Sequence, residues 1–145
     1  MSAKENMASI QRFVDEVGNR NNLSAMDDLV TPDFVFHDTS GKAYRGTDDF
    51  KKQASVFSKA YPDTRATLDD WVADDNKGAA RVTFSGTQTG DLMGIAPTGK
   101  KASMPVILFF HFKNGKIMEM WQMYDMMNIM QQLGVAPAMM GQAAM

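Results

Sequence analysis

The chain has no cysteine. Disulfides, thiolate nucleophiles and cysteine zinc sites are therefore excluded. Only two histidines occur, well apart at His37 and His111, so a histidine-based metal site is poorly supplied. No run of ~18 apolar residues exists to span a bilayer, and "MSAKENMASI" lacks the apolar stretch of a secretory signal; a cytoplasmic location is the expectation. Neither charge dominates: Lys and Arg number 15 against 17 Asp and Glu, and basic residues cluster no further than pairs. That balance argues against nucleic acid and anionic membranes as partners. What remains for chemistry is carboxylate, imidazole, amide and phenol.

At 145 residues the chain is the size of one domain. Met7, Ile10, Phe13, Val14 and Val17 recur at helical spacing, and Gly18 reads as the stop. After "NRNN", Ser24 can cap a short helix ending before Pro32, and "DFVFHD" is a short strand. Thr47 opens a third helix with a Phe50, Ala54, Phe57 and Tyr61 stripe, ended by Pro62.

The period then shifts from helical to alternating. Residues 64–74 and 79–88 read as strands joined by "DDNKG". In the second, Ala80, Val82, Phe84 and Gln88 share a face, and Arg81, Thr83, Ser85 and Thr87 the other. Beyond "GDLMGIAPTGK", residues 101–112 form a strand in which Pro105 must sit at an edge or bulge. "KNGK" is a hairpin signal, making 116–124 the return strand. Asp125 precedes "MMNIMQQLG", a final short helix. The order predicts an α+β domain over residues 1–134, about four antiparallel strands with helices on one face, and a methionine-rich tail over 135–145 that either covers a cavity mouth or a partner or is loose.

"AYPDT", "SGTQTGDLMGIAPTGKK", "NGKIMEMW" and "QQLG" occur in an order and spacing that resemble the SnoaL-like polyketide cyclases, or ester cyclases, of the NTF2-like superfamily. The resemblance implies a cone of curved antiparallel sheet and helices around an apolar pocket, no metal or organic cofactor, and a homodimer through the sheet's outer face. It also implies an aldol closure in which a pocket Asp moves a proton of a polyketide ester. That Asp follows Trp121 in the family's pattern, which places Gln122 there. The accompanying His corresponds to Leu108, and the His of the loop motif to Gln88. A neutral amide cannot accept a proton near pH 7.

Register decides which side chains meet. A three-residue "KNG" turn would put Leu108, Phe110, Met118, Met120, Gln122 and Tyr124 on one face as a substrate-binding surface, joined by Gln88. A two-residue Asn-Gly loop would separate Leu108 from Gln122. The three-residue form leaves Ile107, Phe109, His111, Ile117, Glu119, Trp121 and Met123 outside, with His111 and Trp121 as interface residues.

Candidate catalytic groups are His37, which alternates away from Phe34 and Phe36, and Asp125, which equally fits an N-cap three residues before Asn128. Gln122 reads either as a ligand hydrogen bonder or as a tie between strands, and Tyr124 as a donor to an enolate-like oxygen or as a core aromatic. The methionines suit core gaps as well as a pocket for a flat apolar molecule. The first expectation is a cyclase or isomerase that moves a proton beside a carbonyl. A binding protein whose catalyst is missing is the alternative, and a dimerisation module with a filled interior the third.

Overall fold

The structure, a computed structural model, describes residues 2–135; most of the methionine-rich tail lies outside the described residues. Helix α1 (Ala3–Phe13) is capped by the Ser2 side chain, which accepts from the Glu5 N–H. The helix does not stop at Gly18. It widens into a π-helical turn over Val14–Asn19, in which the Arg20 N–H reaches back to the Asp15 carbonyl. Gly18 is needed for closeness instead, since a Cβ there would stand 3.0 Å from the Ala66 Cβ.

A 3₁₀ turn (Leu23–Ala25) and the short α2 (Met26–Leu29) follow. Ser24 does not cap them; its hydroxyl donates to the Asn22 side chain at 2.7 Å. Strand β1 (Val30–His37) runs through Pro32, β2 (Ala43–Arg45) returns beside it, and α3 (Thr47–Ala60) starts after Gly46, whose φ of 80° is a glycine conformation. The remaining elements are β3 (Arg65–Ala73), β4 (Lys77–Thr87), β5 (Lys101–Lys113), β6 (Lys116–Tyr124) and α4 (Met126–Gln132).

Among the described residues six strands form one curved, unclosed sheet in the order β2-β1-β6-β5-β4-β3. The predicted sheet of about four antiparallel strands is thus larger, and mixed, because β1 runs parallel to β6. The Ala43–Arg45 pairing is too short to leave a period in the sequence. Pro105 pairs with Thr83 of β4 just beyond the last residue that β6 pairs, so its missing N–H faces an unpaired edge.

The β5–β6 hairpin corrects the expected register. Asn114 (φ 52°) and Gly115 (φ 77°) make a two-residue turn between paired Lys113 and Lys116. Alone, that turn would place Leu108 and Gln122 on opposite faces. A β-bulge restores them: Phe112 pairs with Ile117, His111 with Glu119, and Met118 is the extra residue without a β5 partner. Ile117 therefore points inward and is fully buried, where Met118 was expected. From Glu119 onward the expected alternation holds, and Leu108 pairs with Gln122.

The core lies between the helices and the concave face. Phe50 of α3 is its hub, meeting Phe36 edge-on at 5.0 Å between ring centres and Phe13 and Phe34 at 6.1 Å.

Candidate functional site

A cavity of about 180 Å³ lies between the π-helical turn, α3 and the inner face of β4, β5 and β6. Its walls are the side chains that the helical and strand periods turn inward: Phe13 and Val17 from the first helix, Phe50, Ala54 and Phe57 from α3, and Phe84, Met104, Val106 and Leu108 from the sheet. Ile129 of α4 closes one side, and exposed Asn19, Asn21 and Pro62 form the rim. A dry apolar cavity of ~150 Å³ is enough to take up benzene, so this volume suits a compound of one or two rings.

Polar groups in the wall are few and neutral. Gln122 reaches the cavity from β6 and Gln53 from α3, and neither side-chain amide has a hydrogen-bond partner among the described residues. Asn19, Ser58 and Thr64 also line the space, but their side chains are engaged: Asn19 with the Ala66 backbone, the Ser58 hydroxyl with the Ser55 carbonyl, and the Thr64 hydroxyl with the Tyr61 carbonyl. Burial holds the Tyr61 phenol above its ordinary pKa, so it stays protonated. Among the described residues no carboxylate, imidazole, ammonium or guanidinium lines the cavity.

Two of the sequence-predicted binding residues, Leu108 and Gln122, meet in this cavity. Phe110 and Met120 pair with one another on the same face but are buried in the adjoining core, against Phe13 and Phe112. Met118 sits at the bulge. Tyr124 shares the inner face and packs edge-on against Phe57 at 5.7 Å, outside the lining; its phenol is held above the ordinary range first by burial and then by the nearby Asp38 charge.

Gln88 is fully buried, and its side chain is spent on its own loop. The amide nitrogen donates to the carbonyls of Gly90, Ile95 and Ala96, and its oxygen accepts from the Thr98 N–H and, at 2.8 Å, the Thr98 hydroxyl. A buried amide with every hydrogen-bonding position filled organises the 88–99 loop and has little left for a ligand.

The two candidate catalytic groups lie elsewhere. His37 projects from the outer face, where its ring stacks on Trp121 at 4.8 Å and 6° and its Nε2 meets Glu119 Oε2 at 2.5 Å. His111 faces the other Glu119 oxygen at 3.8 Å and meets Trp121 edge-on. Asp125 is exposed at the N-cap of α4, its Oδ1 accepting from the Asn128 N–H at 3.1 Å. The sheet therefore separates His37 from the cavity, and capping occupies Asp125.

Gln53, Asn19 and Tyr61 were not singled out from the sequence as site residues. Gln53 stands three residues after Phe50 and four before Phe57, so helical spacing already places it on the cavity face.

Comparison with curated proteins gives no match. Among solved structures the chain is similar to AclR of Streptomyces galilaeus, a candidate hydroxylase, at 28% identity and TM-score 0.83 over 94% of this chain and 89% of that one. It is similar to a candidate polyketide cyclase of Bacillus cereus ATCC 10987 at 28% identity and TM-score 0.78, over 93% and 84%. A candidate SnoaL-like polyketide cyclase of Jannaschia sp. CCS1 shares the fold, with TM-score 0.85 at 19% identity over 93% and 95%. The family model for SnoaL-like polyketide cyclases matches residues 8–133, and with that span this chain belongs to the SnoaL-like polyketide cyclase family.

Proposed function

We propose that this protein binds a small, neutral, mostly apolar carbonyl compound, polyketide- or ester-like, in the cavity beneath α3, with the Gln122 and Gln53 amides orienting its oxygen. The observation that carries the reading is the character of the wall: apolar side chains, two amides and the Tyr61 phenol without partners, and no ionised group among the described residues. Apolar surface gives affinity, and each unpartnered amide in an apolar wall favours a ligand that satisfies it. A carboxylic acid in its ionised form would lose its hydration with no cation to compensate.

Conversion by proton transfer is the second reading, supported by family membership. It needs a base, and the wall offers none: the position that resembles the family's Asp is Gln122. On the first reading the chain holds its ligand without moving a proton.

One experiment separates the two. Methyl 1-naphthoate and 1-naphthoic acid are titrated calorimetrically at pH 7, and the exchange of the acidic C–H of methyl 2-oxocyclohexanecarboxylate into deuterium oxide is followed by NMR. The ester is expected to bind at least about tenfold more tightly than the acid, Gln122→Ala is expected to weaken the ester by about tenfold, and exchange stays at the buffer rate. Exchange faster than buffer, abolished by Gln122→Ala in the cavity wall, would instead establish the proton-transfer reading.

For assembly we propose that a second copy covers the outer sheet face. Ile107, Phe109 and Met123 are 48%, 38% and 56% exposed there, beside half-buried His111 and Trp121, a cluster of apolar side chains of the kind that marks an interface.

A further inference from the structure

Among the described residues strand β3 is an edge of the sheet, paired on one side by β4 and on the other by no strand. An edge strand offers free N–H and C=O groups, and something must cover them. At Ala66 a single side chain does so. The Asn19 amide nitrogen donates to the Ala66 carbonyl at 2.7 Å, and the Asn19 oxygen accepts from the Ala66 N–H at 2.7 Å. The amide thus imitates one residue of a seventh strand.

Asn19 is also the last residue of the π-helical turn and part of the cavity rim. Val14, Val17, Gly18 and Asn19 all line the cavity from this turn, so its position sets how far the space opens. Besides the buried Val14 and Val17 side chains, its far end meets the sheet through the Gly18 backbone, which lies close to Ala66 and Phe84, and through the Asn19 amide pair. Beyond it the chain turns sharply, with Asn21 at φ 50° and the Asn22 N–H reaching back to the Glu16 carbonyl. A π-helical turn holds one residue more than α-helical winding needs, and such turns are rare and recur at functional sites.

We propose that the Asn19–Ala66 amide pair is a latch that holds the π-helical turn across the mouth of the cavity, and that its release is the step that admits a ligand. The proposal rests on the cavity being the ligand site, but the latch can be tested without any ligand. The chain has no cysteine, so Val106→Cys, in the buried wall, places a single thiol behind the turn. Its modification by methyl methanethiosulfonate, followed against urea concentration, reports how often the mouth opens.

Opening through the latch gives a labelling rate in dilute urea that is nearly independent of urea, because little surface is exposed. Asn19→Ala and Asn19→Asp are expected to raise that rate by about tenfold, the effect of one lost hydrogen-bonded pair. Gly18→Ala, whose Cβ would press on Ala66 while leaving Asn19 intact, is expected to raise it as well. Ser9→Ala is the control, because the Ser9 hydroxyl ties α1 to the Gly115 carbonyl at the β5–β6 turn; it leaves the urea-independent rate unchanged. Labelling at the parent rate in all three latch variants, or a steep urea dependence at every concentration, would overturn the proposal while leaving ligand binding in the cavity untouched.

Discussion

Leu108 and Gln122 face each other across β5 and β6, and both reach the cavity. Their meeting depends on Met118, the unpaired residue of the β-bulge, which offsets the register set by the two-residue Asn114–Gly115 turn. A short turn and a bulge together achieve what a longer turn would have achieved alone, and they carry Ile117 to the core in the exchange.

That pairing predicts how the scaffold responds when an acid and a base are installed. Leu108→His and Gln122→Asp would stand opposite one another in a mostly apolar wall. Each alone leaves a polar or charged group poorly solvated and is expected to cost about 2 kcal/mol at pH 7. Together they satisfy each other, so the double variant should be more stable than the sum of the singles by about 1–3 kcal/mol in a urea-unfolding cycle. It should also exchange the acidic C–H of a bound keto ester faster than buffer. Strict additivity would mean that the two side chains do not meet.

Gln88 predicts a loss in folding rather than in binding. Gln88→Ala strips a donor from three loop carbonyls and an acceptor from Thr98, and opens a hole at a fully buried position. The expected cost is about 3 kcal/mol, or roughly 10 °C in melting temperature. Gln88→Glu should be worse at pH 7, where an anion faces carbonyl oxygens, and should recover in part at pH 4–5 as the carboxyl becomes a donor. Melting curves at both pH values check this. A Gln88→Ala melting temperature within about 2 °C of the parent would show that the amide does not hold the loop.

The contrast between Gln88 and Gln122 shows what sequence reading reaches. Both amides stood where the resemblance placed a titratable group, and no local pattern distinguishes a loop organiser from a cavity amide. Cavity neighbours from other elements, such as Leu108 and Phe50, or partners within an irregular loop decide it. The hairpin bounds at Lys116 and Tyr124 were legible because alternation and the Asn-Gly turn are local signals. The π-helical turn was not, since Val14 and Val17 fit α-helical spacing equally well. His37 was half legible: its alternation against Phe34 and Phe36 already put it on the other face from the core, which is where it stacks on Trp121.

Asp38 predicts a pH dependence confined to acid. Burial alone would raise its pKa, but donation from the Ser40 hydroxyl, the Tyr44 phenol and the Ser40 and Lys42 backbone more than offsets this and lowers it. With the folded value below the unfolded one, near 3.9, the contribution of this carboxylate to the 38–42 loop is complete above about pH 4 and is lost as pH falls through the lowered value. Tyr44→Phe removes one donor and should move the Asp38 titration midpoint up, measured from its side-chain carbon by NMR, with no change of charge at pH 7. An unmoved midpoint would show that the phenol contact is absent in solution.

Phe109 tests whether a second copy covers the outer face. Its ring meets Trp121 at 5.8 Å and His111 at 5.6 Å, yet more than a third of the residue remains exposed, so it belongs to the apolar face without supporting the core. Phe109→Glu should therefore melt within about 3 °C of the parent as a folded chain, since exposed substitutions cost little. In an isologous contact the same glutamate appears on both copies, and two carboxylates forced into one apolar seam lose hydration and repel each other. Sedimentation velocity is expected to give a two-chain species for the parent and a single chain for Phe109→Glu, with the Trp121 emission shifting to the red as the face becomes wet. A parent that sediments as one chain at all concentrations would mean that the outer face is exposed in solution and needs another account.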